Sequence, residues 1–208
     1  MQDTSEIAPA GHAGAGWVER IARAQRRQLF EAFLRFRHGP ANDSVLSLSL
    51  GKAAGGLQQR ADAPTGSLVS PCILTAGVAP RLPYGSNSFD WIYCAEVIEH
   101  LTPAAWQQLL VSECFRVARK GVFITTPNRR HPIEFHSGVP MLHWLPARWR
   151  SSLSRVATRV MHIPPALVDA PCLYEMASIL PGAPVHDVGH KRVLGIKAHF
   201  FLMIRKGD

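Results

Sequence analysis

Apolar positions recur at helical spacing between Trp17 and His38. Trp17, Val18, Ile21, Leu29, Phe30, Phe33 and Leu34 share a face, and arginines fill much of the remainder. The pattern predicts an amphipathic helix stopped by His38, Gly39 and Pro40. Its apolar stripe either packs on a core or lies on a membrane surface. The rhythm then shortens. Residues 44–50 alternate small polar and aliphatic side chains, which predicts a strand, and run into a glycine-rich turn over 51–56. Apolar runs at 72–76 and 89–95 predict two more strands. Thr102 as N-cap and Pro103 at the first helical position open a predicted helix ending at Ala118. Its expected buried face is Trp106, Leu109, Leu110, Cys114, Phe115 and Val117. Residues 121–126 are apolar almost throughout, as a strand covered on both faces is. A short helix over 171–180, with Pro171 in its first turn, precedes two strands joined near Gly195. Those two are expected to form an antiparallel pair at the end of the sheet.

Alternating strands and helices with apolar central strands imply an α/β fold, with helices on both faces of the sheet. Residues 1–15 are Ala/Gly/Pro-rich without periodicity and are expected to be disordered, leaving one domain over 16–208. The chain has 208 residues, and 47% hydrophobic content is ample for a packed core. No stretch approaches the ~20 apolar residues that span a bilayer. The N-terminus has no basic and apolar regions of a signal peptide. Cys72, Cys94, Cys114 and Cys172 are widely spaced, which fits reduced thiols in a cytoplasmic protein. The net charge of +8 is compatible with nucleic acid, an anionic membrane surface or an acidic substrate, and equally with a solubility role. Between Arg129 and Arg159 the only acid is Glu134, so an anion-facing surface is expected there.

In open α/β sheets, ligands bind beyond the C-terminal ends of the strands. Three such ends carry chemistry: Gly51 and its turn, the stretch from Cys94 to His100, and that from Thr125 to His131. Glu96, Glu99 and His100 stand at i, i+3 and i+4, so a helical turn there would bring all three to one face. Two carboxylates and an imidazole suit a divalent cation. The alternative is a pocket wall in which His100 serves as general base. Asn128 either orients a substrate or caps its loop. His131, His136 and His143 are either ligands or structural hydrogen-bonding groups. Trp144, Arg148, Trp149, Arg150, Arg155 and Arg159 would hold a phosphate or lipid headgroup, or cover the core with their stems.

The stretch from Arg81 to Leu101, "RLPYGSNSFDWIYCAEVIEHL", resembles class I S-adenosylmethionine-dependent methyltransferases of type 11. "ECFRVARKGVFITTPN" over 113–128 fits the helix and strand that follow in that family, and "TTPNRRHPIEFHSGVPMLHWLP" resembles a narrower bacterial subgroup. The resemblance implies a Rossmann-like, mostly parallel sheet with its last strand antiparallel, shortened here in its N-terminal half. It also implies S-adenosylmethionine as cofactor, and methyl transfer to a small-molecule or lipid-like acceptor. Carried onto this chain, Ser47, Ser49 and Gly51 take the places of the acid and the first two glycines of the donor motif, with Ala53 at the third. Val78 and Ala79 would line the adenine; Cys94, Ala95 and Glu96 would border the sulfur side. His100, Asn128 and His131 would face the acceptor. Val78 stands where the family carries an acid, and no acid is found for the ribose. These departures keep a second reading open: a catalytically inactive, methyltransferase-like binding or regulatory module. Two families of the class hold metal with a comparable Glu-Glu-His set, one of them acting on small RNA. A metal on Glu96, Glu99 and His100 is the corresponding third reading.

Overall fold

The computed structural model describes residues 15–38, 40, 42–51, 69–75, 78–128, 168–182, 184–193 and 195–207. The chain divides into two compact units, 1–26 with 132–162, and 27–131 with 163–208. In the first, the described residues form the opening turns of helix α1 (Ala15–Arg37). The expectations for residues 1–14, His131, His136, His143 and the Trp/Arg segment over 144–159 fall outside the described residues.

The second unit holds six strands: β1 (Val45–Gly51), β2 (Val69–Thr75), β3 (Phe89–Ala95), β4 (Ala118–Pro127), β5 (Val185–Val193) and β6 (Ile196–Arg205). Their spatial order is β2-β1-β3-β4-β6-β5. The first four run parallel, and β6 is antiparallel to both β4 and β5. This is a Rossmann-like sheet with an antiparallel end, as expected from the alternating elements. Gly195, at φ +80°, makes the tight turn between β5 and β6.

Alternation along each strand feeds two cores. Trp91, Tyr93 and Phe123 face α1, where Phe30 and Phe33 meet them in an aromatic cluster. Phe33 is fully buried, with its ring centroid 5.1 Å from Tyr93 and 5.8 Å from Phe123. The alternate residues Leu46, Leu48, Ile92, Cys94, Val122 and Ile124 face an aliphatic core on the opposite side. Helices α2 (Ala104–Val117) and α3 (Ala170–Ser178) cover it with Leu110, Val111, Cys114, Leu173 and Ala177. The later part of the α1 stripe therefore packs on the core, through Phe30 and Phe33.

Helix α2 begins later than its sequence suggests. Pro103, with ψ 172°, is the extended N-cap residue, and Thr102 makes no side-chain cap. The Pro103 carbonyl accepts the Trp106 amide at 2.9 Å, which places the proline one step outside the helix. Two polar residues join the buried face of α2, while Trp106, Leu109 and Phe115 are only half-buried. Glu113 is drawn inside because it accepts the Leu82 amide at 2.9 Å and both Arg116 guanidinium contacts at 2.8 Å. Gln107 donates to the Leu101 carbonyl. Helix α3 has Pro171 in its first turn, as predicted, and the Asp169 carboxylate caps it by accepting from the Cys172 amide, a cap not read from the sequence.

The amino ends of the parallel strands are tied by carboxylates. Asp43 accepts Trp91 Nε1 and Lys120 Nζ, both at 2.8 Å, while Asp90 accepts the Ser44 amide and hydroxyl. Burial pushes the Asp90 carboxyl up. The Ser44 hydrogen bonds and the charges of Lys120 and Arg119 outweigh this, and its pKa ends below the usual value. Asp43→Ala would strand the buried Trp91 N–H. Urea unfolding should read a loss of about 1–3 kcal/mol, and an unchanged midpoint would contradict this tie.

Candidate functional site

The order of strands reverses at the centre of the sheet. From β1 the chain moves outward to β2, then returns across to β3 on the other side. The ladder between β1 and β3 stops at Leu48 opposite Cys94. Each strand continues with its outer neighbour, β1 to Gly51 opposite Thr75, and β3 to Ala95 opposite Thr125. Ser49 to Gly51 on one side and Ala95 and Glu96 on the other are thus not paired with each other, and this gap in the ladder is the candidate crevice. Residues 49–51 are not paired with β3, and in open α/β sheets ligands bind at such a reversal of strand order.

Ser47 is buried below this opening and Ser49 is half-buried, both on the α1 side of the sheet. Ala95 carries only a methyl group, which packs against the aromatic cluster under α1. Cys94 contributes little beyond backbone, because its thiol lies in the aliphatic core beside Cys114. The hydrogen bond with Cys114 and burial push the Cys94 thiol well above its ordinary range. Val78 stands 57% exposed on the loop after β2, with Ala79 half-buried beside it.

The expected one-face arrangement of Glu96, Glu99 and His100 gives way to a sharper turn. Glu96 adopts φ +53°, and a single 3-10 turn follows over Ile98–His100. A non-glycine residue in the left-handed region is held there by its surroundings. Here the Glu96 amide donates to the Thr125 carbonyl at 3.1 Å, and Glu96 Oε1 meets His199 Nε2 at 3.3 Å. Glu99 turns inward instead. It is 1% exposed, with Oε2 3.3 Å from the Thr126 hydroxyl and Oε1 3.9 Å from His100 Nε2. Burial, aided by the nearby charge of Glu96, holds the Glu99 carboxyl well above the ordinary carboxylate range. Among the described residues, no group of three His, Cys, Asp or Glu is arranged to hold a metal ion.

Asn128 fastens strands. Its amide donates to the Ala198 carbonyl and its Nδ2 to the Lys197 carbonyl, each at 2.7 Å, so β4 stays joined to the start of β6. His199 is the residue that sequence reasoning missed. It lies opposite Pro127 on β6 and is buried beside Glu96. A histidine between Ala198 and Phe200, in an otherwise apolar strand, was the available signal.

The strand order defines an open, doubly wound α/β protein, and in such sheets the reversal of strand order is where ligands bind. The family model described as a methyltransferase domain matches residues 52–125. Magnesium protoporphyrin IX methyltransferase from Synechocystis, solved with bound SAH, superposes with a TM-score of 0.50 at 11% identity, covering 96% of this chain and 90% of its own. A S-adenosylmethionine-dependent methyltransferase from Mesorhizobium loti gives a TM-score of 0.50 at 11% identity, over 84% and 96% of the two chains. At that identity the likeness establishes the fold. No curated protein matches the sequence. The sequence likeness to a methyltransferase domain covers residues 52–125, about a third of the chain, and the fold is similar to that of S-adenosylmethionine-dependent methyltransferases.

The state of Glu99 has a direct consequence for stability. A carboxyl whose folded pKa is raised keeps its proton in the folded protein while the unfolded chain has lost it. Stability therefore falls as pH rises from the unfolded pKa, about 4.3, to the raised folded value. Glu99→Gln should remove this decline, at about 1.4 kcal/mol for each unit of displacement. Urea titrations at pH 5 and pH 8 check it; parallel profiles for the two proteins would contradict the buried, protonated carboxyl.

Proposed function

We propose that this chain is an active methyltransferase that moves a methyl group from S-adenosylmethionine to a small-molecule or lipid-like acceptor. The single supporting observation is the parting of β1 from β3 beyond Leu48 and Cys94. The lips suit the donor. The released backbone of 49–51 offers N–H and C=O groups to the amino-acid part, and the small side chains of Ser49 and Ala95 leave room for a nucleoside. Ser47, Ser49, Gly51, Ala95 and Glu96, with the Cys94 backbone, would hold the donor, and Val78 and Ala79 would cover its adenine.

Bound S-adenosylmethionine supplies an already activated methyl group, so the protein's task is to align the acceptor and exclude water. A base is needed only where the acceptor must lose a proton. His100, half-buried beside Glu99, is suited to that on the acceptor side, with His131 as the second assigned histidine. Asn128 would act through position, by fixing β4 against β6. Glu96, anchored to His199, would keep its carboxylate at the crevice lip.

The free thiols of Cys72, Cys94, Cys114 and Cys172 favour a reducing, cytoplasmic setting. No helix among the described residues is long and apolar enough to cross a membrane. A second reading, the inactive module, draws on the exposed Val78 at the place of an adenine-binding acid. Losing a hydrogen bond to a charged group there would weaken the donor by roughly tenfold to a hundredfold.

Calorimetry with S-adenosylmethionine and S-adenosylhomocysteine tests the proposal. Saturable binding of both is expected, and Ala95→Trp should lower affinity at least tenfold by filling the crevice. Absence of heat at millimolar ligand would favour the module.

A further inference from the structure

Away from the donor crevice, a groove of about 660 Å³ runs between the end of α1 and the β5–β6 ribbon. Its floor is apolar: Phe36, Phe201 and Met203. Its rim is cationic: Arg35, Lys191 and Arg205. None of the described residues that line it is acidic. The acids nearby on the same elements are engaged elsewhere, Glu31 with Arg27 at 3.2 Å and Asp187 with the Val188 amide at 2.7 Å.

Two features show a shaped surface. Gly189 lies opposite Phe201, and a Cβ on it would come within 2.3 Å of the Phe201 ring. Its missing side chain lets that ring lie over β5 while it stacks on Phe123 at 5.2 Å and 15°. Arg205 is held over Phe36, 4.9 Å from the ring centroid, and donates to the Phe36 carbonyl at 2.7 Å. A guanidinium fixed in this way is pre-oriented, so little side-chain freedom is lost when an anion arrives.

We propose that this groove binds an anionic phospholipid, with the phosphate on Arg35, Lys191 and Arg205 and the first part of an acyl chain over Phe201, Met203 and Phe36. The argument is charge complementarity over an apolar floor. A bare phosphate would leave the floor wet, and a neutral amphiphile would leave the rim unpaired. The groove's size is that of a small-ligand site, about 300–1,000 Å³. The proposal does not depend on donor binding, since none of its residues belongs to the crevice.

The test is titration of the full chain with dihexanoyl phosphatidic acid below its micelle concentration, followed by calorimetry. Saturable binding is expected, weakened at least tenfold by Lys191→Glu with Arg35→Glu. Gly189→Leu should abolish it by displacing the Phe201 ring. Because that variant disturbs packing, Met203→Gln, which keeps the volume and makes the floor polar, provides the second check and should also weaken binding. Arg81→Glu, an exposed charge change elsewhere, should leave it unaltered. Equal binding of dihexanoyl phosphatidylcholine would overturn the role of the rim, and inorganic phosphate binding as tightly would overturn that of the floor. Displacement of the lipid by single-stranded RNA at lower concentration than the lipid itself requires would assign the groove to nucleic acid instead. Binding insensitive to the rim variants would also overturn the proposal.

Discussion

Strands β1 and β3 lie side by side for only part of their length, and the site depends on that fact. Their ladder covers Val45 to Leu48 against Trp91 to Cys94, and beyond it each strand belongs to its outer neighbour. The connections force this. From its carboxyl end β1 leads to β2 on one side, while β3 leads to β4 on the other, so the two connections diverge. At the opposite end the same strands are held by Asp43 and Asp90, whose bonds to Trp91, Lys120 and Ser44 tie 43–45, 90–91 and 120 together. The sheet is pinned at one edge and free to part at the other.

The two faces of the sheet meet different covers. Aromatic rings fill the side under α1, where Phe33 sits among Phe30, Tyr93 and Phe123. Aliphatic side chains and the three buried thiols of Cys72, Cys94 and Cys114 fill the side under α2 and α3. Alternation assigns each residue of β3 to one core or the other, so Trp91 and Ile92 are both buried without competing for space. The β5–β6 ribbon extends this sheet past Phe201 and Met203, which are only half-buried. That is how an apolar floor with a basic margin reaches the surface.

Around the crevice, polar groups are buried in a way that fits a site better than a stabilising core. Glu96 is held in the left-handed region, His199 is almost inaccessible beside it, and Glu99 is pressed inward against Thr126. Burying such groups is costly unless each is paired or neutral. Here Glu96 has His199, and Glu99 is driven toward its protonated form. Strain and perturbed titration thus stand together at this strand end.

Much of the architecture is legible along the chain. The bounds of β3, the apolar character of β4, the stripe of α1 and Pro171 in the first turn of α3 all follow from local periodicity and end chemistry. The lips of the crevice follow from Gly51 and Ala95 at strand ends. Other features have no local signal. Pro103 could sit inside or just outside α2, and only its extended ψ decides. Glu96, Glu99 and His100 look like one helical face until Glu96 turns to positive φ and sends the two carboxylates in different directions. His199 belongs to the site because β6 runs antiparallel beside β4, which brings residue 199 against residue 127. Periodicity thus determined which residues are buried, because burial repeats with the backbone's own period. Which polar groups meet was decided by strand order, because pairing across the sheet joins positions that no spacing in the sequence relates.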